Sequence, residues 1–432
     1  MKTKSNLVFD SIPQNAVKIQ LSENFSIFPD ELFAFKDTLE ILDLSKNKLS
    51  ELPNNFNEFK KLKIAFFSEN EFEVFPEVLG SCPSLTMVGF KSNRIKNIPE
   101  NAFPKKLQWL ILTDNKIESL PNSIGACSFL QKCALAGNNL NKLPDSLSNC
   151  QNLELLRISA NQLEDIPNSL FQLPRLSWLA IDGNPFLLKD TLEELRFDHI
   201  DYNELIIKSK IGEGASGFIY EASIYKSNKS VAVKTFKGNV TSDGYPKDEL
   251  ENCLLVGRHE NIVPLIGPFK NHPESKTGIV MDLIPNSYTT LGLPPNFETC
   301  TRDVFSRDLN LSNHQIFEIA KSIASGAYHL HSKGVMHGDL YAHNTLYNVI
   351  SGHAYLGDFG ASTYYKSNSE FAPYYERIDV RAFGCLLDDL INISNEKTTE
   401  ISLLESIRDQ CWDETILNRP DFEEIIKEIT RD

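Results

Sequence analysis

Between residues 16 and 186 the apolar and polar positions repeat with one period. Asparagines stand at 24, 47, 70, 93, 115, 138, 161 and 184, in steps of 23, 23, 23, 22, 23, 23 and 23 residues. Each occupies the same frame, for example Leu39-x-x-Leu42-x-Leu44-x-x-Asn47-x-Leu49. An Ile/Leu/Phe-Pro pair such as Leu52-Pro53, Phe75-Pro76 or Ile98-Pro99 follows. The spacing predicts one short strand per turn, with neighbouring turns stacking their leucines into a continuous core. The asparagine is the polar group such a core needs, because its amide can satisfy backbone groups of adjacent turns where the chain bends.

Beyond residue 205 the period changes. Leu205-Ile-Ile, Ile219–Ile224 and Val231–Lys234 read as strands, and Ser312–His331 carries helical apolar spacing. Pro285–Asn313 is polar and Pro-rich, and reads as a surface loop or an insertion on the substrate side. Residues 187–205 lose the repeat, and Asp190–Phe197 predicts a short helix capping the open end of the stack. No Gly/Ser-rich or Pro-rich linker is present, so a short, stiff connection is expected.

The first pattern resembles the leucine-rich repeat family. The resemblance implies an α/β solenoid over residues 1–186, followed by a capping segment over 187–205. Strand residues between the leucines would then face the concave side, where polar side chains are expected. Instead Ile41, Ile64, Phe66, Met87, Trp109 and Ile111, with Trp178, make that face apolar. Aromatic and Met enrichment on a concave surface suggests a protein or peptide partner. Cys82, Cys127 and Cys150 each lie twelve residues after a frame asparagine, at the place held elsewhere by Phe59 and Leu173. Buried core thiols are therefore expected there, ahead of a Cys127–Cys150 disulfide.

A chain of 432 residues has room for two to four domains. A net charge of −15 argues against a nucleic-acid surface. The sequence has no 18-residue apolar run, and its first residues lack the apolar core of a signal peptide. The eight cysteines show no paired metal-ligand spacing. A cytoplasmic protein without a membrane span is expected.

The chemistry-bearing stretch is His337-Gly338-Asp339-Leu340-Tyr341-Ala342-His343-Asn344, followed by Asp358-Phe359-Gly360. A carboxylate five residues before an amide, with a second carboxylate ahead of Phe-Gly, suits phosphoryl transfer from a metal nucleotide. Upstream, Ile211-Gly212-Glu-Gly214-Ala-Ser-Gly217-Phe218-Ile219 places glycines where a backbone can approach phosphates. A dinucleotide site would need a helix immediately afterwards. This chain continues as strand and ends in Lys234.

The set resembles the protein kinase family. The resemblance implies an α+β two-lobed fold over 206–432, with a small lobe over about 206–284 and a large lobe over about 285–432. It implies ATP and Mg²⁺ as cofactors. Lys234 would pair with the α/β-phosphates and be held by a helix carboxylate, Glu249 first and Glu251 second. Asp339 would take the proton of the attacking hydroxyl, and Asn344 and Asp358 would carry the metal. Ile211, Gly212, Gly214, Gly217, Ile219 and Ala232 would line the nucleotide site, with hinge backbone at Asp282 and Leu283 meeting adenine and Met281 behind it. Asp379 would accept bonds from the catalytic-loop backbone, and Arg419 would pair with Glu376. The Cys411-Trp412…Arg419-Pro420-Asp-Phe422 ending resembles tyrosine-kinase-like members.

Three departures qualify the resemblance. Gly338 replaces an arginine that binds a phosphorylated loop, so activity independent of loop phosphorylation is expected. Asp379 follows Asp358 by only 21 positions, and Tyr341 stands where a lysine is usual in Ser/Thr kinases. Thr363, Tyr364, Tyr365 and Tyr374 are candidate autophosphorylation sites. The expected function is an ATP-dependent protein kinase, Ser/Thr or dual-specificity ahead of strict Tyr, with repeats that recruit a substrate or sense a ligand. Two other readings stay open: a nucleotide-binding scaffold without transfer, and a kinase for small molecules.

Overall fold

The computed structural model describes residues 9, 11–187, 199–214, 216–237, 240–241, 243–394 and 396–431. The chain divides into two compact units: Met1–Leu173 with Asn184–Phe186, and Pro174–Gly183 with Leu187–Asp432. The helix expected over 190–197 lies outside the described residues.

In the first unit, seven three-residue strands pair in parallel in chain order: β1 (Lys18–Gln20), β2 (Ile41–Asp43), β3 (Ile64–Phe66), β4 (Met87–Gly89), β5 (Trp109–Ile111), β6 (Lys132–Ala134) and β7 (Leu155–Arg157). The frame leucines form its core; Leu42, Leu44, Leu110, Leu112 and Leu156 are fully buried. Six return segments are 3₁₀ helices of three to six residues, and the one over residues 100–106 is made of turns. Pro29, Pro76, Pro121, Pro144 and Pro167 each stand immediately before one. Their ring fixes φ, and their missing N–H is no loss at a helix start.

The asparagine row closes the backbone account from turn to turn. Asn115 Oδ1 accepts from Ile95 N at 3.0 Å, while its Nδ2 donates to Phe90 O at 2.9 Å and Leu112 O at 3.1 Å. Asn138 repeats this with Ile117 N and Leu112 O, and Asn161 with Leu140 N and Leu135 O. The residue before each frame asparagine from Asn47 to Asn184 has positive φ: Lys46, Glu69, Ser92, Asp114, Gly137, Ala160 and Gly183; at the first turn Asn24 itself does. Cys82, Cys127 and Cys150 are buried, as are Phe59 and Leu173. All eight cysteines are free thiols.

The second unit opens with β8 (Trp178–Ala180) and β9 (Ile200–Asp201). Strand β8 keeps the repeat frame and groups by its contacts with the second unit. The physical reason is its burial there, described below. Strands β10 (Leu205–Glu213), β11 (Gly217–Ile224), β12 (Ser230–Phe236), β13 (Leu265–Lys270) and β14 (Gly278–Asp282) form an antiparallel sheet, with β9 parallel at the β13 edge. Leu205, Ala222, Val231, Val233, Phe269 and Val280 fill its core. Helix α1 (Pro246–Val256) follows β12.

The remainder is mainly helical. Helix α2 (Asn313–Ser332) starts at a Ser312/Gln315 capping box. After it come β16 (Val335–Met336), β17 (Thr345–Asn348), β18 (Ala354–Leu356) and β19 (Thr363–Tyr364), then α3 (Ala372–Ile393), α4 (Thr399–Cys411) and α5 (Phe422–Ile429). Strand β15 (Tyr288–Thr290), inside the Pro-rich stretch, pairs with β17. That stretch is also pinned to α3, because the Arg302 guanidinium reaches Asp388 at 2.9 Å and Asp389 at 2.5 Å. Among the described residues no helix is long and apolar enough to cross a membrane.

One expected contact is replaced. Arg419 is buried but does not pair with Glu376. It donates to the carbonyls of Pro174 at 2.7 Å, Asp413 at 3.0 Å and Arg377 at 3.3 Å. Glu376 is taken by the Phe422 amide at 3.0 Å and by Arg377 at 3.4 Å. Burial without a facing carboxylate lowers the Arg419 pKa to about 10.

Candidate active site

Strand β12 alternates its side chains, which buries Val231 and Val233 in the sheet core. Its last residues then carry Lys234 inward, and the side chain is almost fully buried. The ammonium pairs with Glu249, itself buried on the first turns of α1, and with Asp358 Oδ1 at 3.2 Å. Burial works against a charged lysine, but Asp358 and Glu249 outweigh it and hold Lys234 above the usual lysine range. Desolvation also pushes the Asp358 carboxyl up, yet the adjacent ammonium leaves it below the usual carboxylate range. Glu251 takes no part; it pairs with Lys247 at 3.3 Å.

Asp339 and Asn344 come from the loop between β16 and β17. Asn344 Nδ2 donates to Asp339 Oδ2 at 2.9 Å and to Asp339 O at 2.8 Å, which fixes the carboxylate against the amide. His337 is part of the scaffold of this loop. Its Nδ1 accepts from Asp339 N at 3.2 Å, and its Nε2 donates to Gly357 O at 3.0 Å. Asp379, fully buried on α3, accepts from His337 N at 2.6 Å, Gly338 N at 2.9 Å and His331 Nε2 at 3.0 Å. Asp358 has φ +54°, a left-handed conformation uncommon outside glycine and held here at a site of chemistry.

The β10–β11 hairpin is closed by Gly214 N donating to Gly217 O at 3.0 Å. A side chain at Gly217 is excluded, since its Cβ would lie 2.7 Å from Thr235 O. Gly212 stands opposite Ile219 across the hairpin, and Ala232 opposite Met281 between β12 and β14. Ile211 is exposed. At the hinge, the Asp282 amide already donates to Pro264 O at 2.9 Å, which removes it as an adenine donor. Its carboxylate meets Lys229 at 2.5 Å, and Leu283 follows the end of β14.

The oxygens suit a hard divalent cation. Asp358 is solvent-accessible at its carboxylate and lies beside Lys234. The Asn344 amide directs its nitrogen to Asp339, so its oxygen is the atom left for a cation. One carboxylate and one amide, completed by phosphate and water, match the way Mg²⁺ is usually bound.

Sequence reasoning missed several contributors. Asp303, in the Pro-rich stretch, accepts from His343 N at 2.9 Å and His343 Nδ1 at 2.7 Å. Trp178 stacks on Tyr341, and Asp182 meets Asn252 of α1. No local motif marks any of them. Trp178, Ile64 and Met87, expected on an open concave face, are buried; Ile41, Phe66, Trp109 and Ile111 are half-buried. Thr363 and Tyr365 are also buried, so their hydroxyls are not free acceptors, whereas Tyr364 and Tyr374 are half-buried.

Similarity to known proteins falls in two parts of the chain. Residues 205–387 match the protein kinase domain family, and residues 38–59 and 128–186 match leucine-rich repeat families. A Dictyostelium discoideum protein named a probable cyclin-dependent serine/threonine-protein kinase is 30% identical over 225 residues, covering 48% of this chain and 33% of the relative. A probable cell division control protein 7 homolog of Encephalitozoon cuniculi is 28% identical over 178 residues, covering 41% of this chain and 45% of the relative. The serine/threonine-protein kinase shk1/pak1 of Schizosaccharomyces pombe is 34% identical over 163 residues, covering 37% of this chain and 22% of the relative. The chain thus spans less than half the length of these curated relatives.

Proposed function

We propose, for a chain that carries N-terminal leucine-rich repeats and a C-terminal protein kinase domain, that the second unit transfers the γ-phosphate of ATP to a protein hydroxyl. The observation that carries this reading is the buried Lys234 ammonium, held between Glu249 and Asp358. A purely structural ion pair has no need of a half-open second carboxylate beside it. Lys234 takes the α/β-phosphates. Asp339, steadied by Asn344, orients the acceptor hydroxyl and accepts its proton. Mg²⁺, when bound by Asp358 and Asn344, neutralises charge on the β- and γ-phosphates. The hairpin glycines and Ala232 leave room for the nucleotide, with Leu283 at the hinge.

Two of the relatives are named serine/threonine-protein kinases, which supports a serine or threonine acceptor. A cytoplasmic setting is part of the proposal. The half-buried Ile41, Phe66, Trp109 and Ile111 are proposed to bind a protein partner, with the Lys132 ammonium 4.2 Å from the Trp109 ring adding a cation at that face. Replacing Phe66 and Trp109 with Ser is expected to abolish partner capture and leave the fold intact; unchanged capture removes the idea.

One feature favours a second acceptor class. Only residues 359–371 separate Asp358 from α3, because Ala372-Pro373-Tyr374-Tyr375-Glu376 forms the first turns of that helix. So short a segment leaves little surface for docking a polypeptide, and suits a small-molecule hydroxyl. Labelled ATP offered with generic protein substrates, and with Asp339→Asn as control, tests the proposal. Label on protein that the variant does not produce supports it. Label on small hydroxyl compounds alone selects the second reading, and nucleotide binding without transfer leaves a scaffold.

A further inference from the structure

Strand β8 and the residues after it touch two elements that carry reacting groups, the loop of Asp339 and the helix of Glu249. Trp178 lies flat on Tyr341 of the catalytic loop, with ring centroids 4.3 Å apart and planes 6° apart. Its indole N–H donates to Leu340 O at 3.1 Å, and both rings are buried. One residue on, Leu179 O occupies the space that a side chain at position 338 would need. A Cβ on Gly338 would lie 2.3 Å from Leu179 O and 2.8 Å from Ala361 O, and Gly338 has φ +70°. Loop and strand therefore fit only with glycine there.

The third contact reaches α1. Asp182 Oδ2 accepts from Asn252 Nδ2 at 2.8 Å, and the same amide donates to Ser362 O at 2.7 Å. Asn252 lies three residues after Glu249, so the two share a face of the helix, and both are buried. Ser362 follows Asp358 by four residues. One short segment thus joins the loop bearing Asp339 to the helix bearing Glu249, and Asn252 carries the link on to the stretch after Asp358. A single ion pair leaves a helix free to rotate about it. A second buried tether one turn away removes that freedom.

We propose that Trp178 and Asp182 are positioning residues for phosphoryl transfer, forming a built-in brace that holds Asp339 and Glu249 in their working arrangement without modification of the segment after Asp358. The proposal rests on the kinase reading of the site. It opposes the idea of a plug: removing a brace lowers turnover, whereas removing a plug raises it.

The test uses the full chain with Trp178→Ala, Trp178→Phe and Asp182→Ala. For Trp178→Ala, kcat is expected to fall at least tenfold, with KM for ATP within about twofold of the parent. Trp178→Phe keeps a smaller stacked ring without the N–H, and is expected to recover most of the turnover. Asp182→Ala is expected to fall between them. In parallel, amide hydrogen exchange is expected to quicken over residues 246–256 and 337–344 in Trp178→Ala, but not over α4 as an internal reference. Unchanged or raised kcat in Trp178→Ala overturns the brace. Should the parent chain transfer no more label than Asp339→Asn, the kinase reading fails instead. The exchange data then decide the brace alone: unaltered rates at 246–256 and 337–344 reject it.

Discussion

Both units bury polar side chains, and they do so by opposite means. The asparagine row uses neutral amides whose partners are backbone groups, and the turns from Asn47 to Asn184 repeat the same solution from residues in their own and adjacent turns. The Lys234 site buries a full charge, and its partners lie 15 and 124 residues away in the sequence. A neutral amide that loses its place strands two or three hydrogen bonds. A buried ammonium that loses its carboxylate strands a charge, a far larger penalty. The row is therefore a structure of many modest equal parts, and the site one of few unequal ones.

Glu249→Ala should give the largest effect on stability. Loss of one partner from a buried ion pair typically costs about 3–5 kcal/mol, seen here as a lower melting temperature of the second unit together with a loss of turnover. Asn115→Ala is expected to cost about 1–3 kcal/mol, because it strands Ile95 N–H inside the stack while Phe90 O keeps Asn93 Nδ2, and to leave kcat unchanged. A larger penalty for Asn115→Ala than for Glu249→Ala, measured by denaturant unfolding, would invert the comparison.

The Asp303–His343 contact gives a pH signature confined to the second unit. Burial works against the charged imidazole, but the hydrogen bond and charge of Asp303, with help from Asp339 and Asp358, leave the His343 pKa raised. A raised folded-state pKa contributes stability that is complete below the unfolded value of about 6.5. That contribution is lost as pH rises through the folded value. The wild-type melting temperature should thus exceed that of Asp303→Asn by most at low pH, worth about 2 kcal/mol, with the gap narrowing as the imidazole deprotonates. A gap independent of pH contradicts this. The smallest effect is expected at Ala160, whose φ is +52°. Ala160→Gly relieves left-handed strain of about 1–2 kcal/mol, offset in part by glycine's chain entropy of about 0.5–1 kcal/mol, so a slight rise in melting temperature is the expected reading.

The same contrast explains what could be read from the chain beforehand. The frame of Leu110, Leu112 and Asn115 is local and repeated, so it declares its own fold. Lys234, Asp339, Asn344 and Asp358 are legible because their residue types and order are chemically demanding. The left-handed residues before the frame asparagines are not legible, since Lys46, Glu69, Ser92, Asp114 and Ala160 are not the glycines that usually announce such backbone. Arg419 gave a misleading signal: its charge suggests a carboxylate, but carbonyl oxygens satisfied its donors. Trp178 was misassigned for a further reason. Its place in the frame is regular, and only the fold reveals Tyr341 against its ring.

The central claim is that Asp339 acts in the chemical step of phosphoryl transfer while nucleotide is held by other groups. The most direct measurement follows ATP affinity and γ-phosphate transfer side by side in the wild type and in Asp339→Asn, with Mg²⁺ present. The account predicts Kd values within about twofold of each other and transfer lower by about 10²–10⁴-fold in the variant. Equal transfer by the two proteins, or no transfer by the wild type despite nucleotide binding, would contradict it.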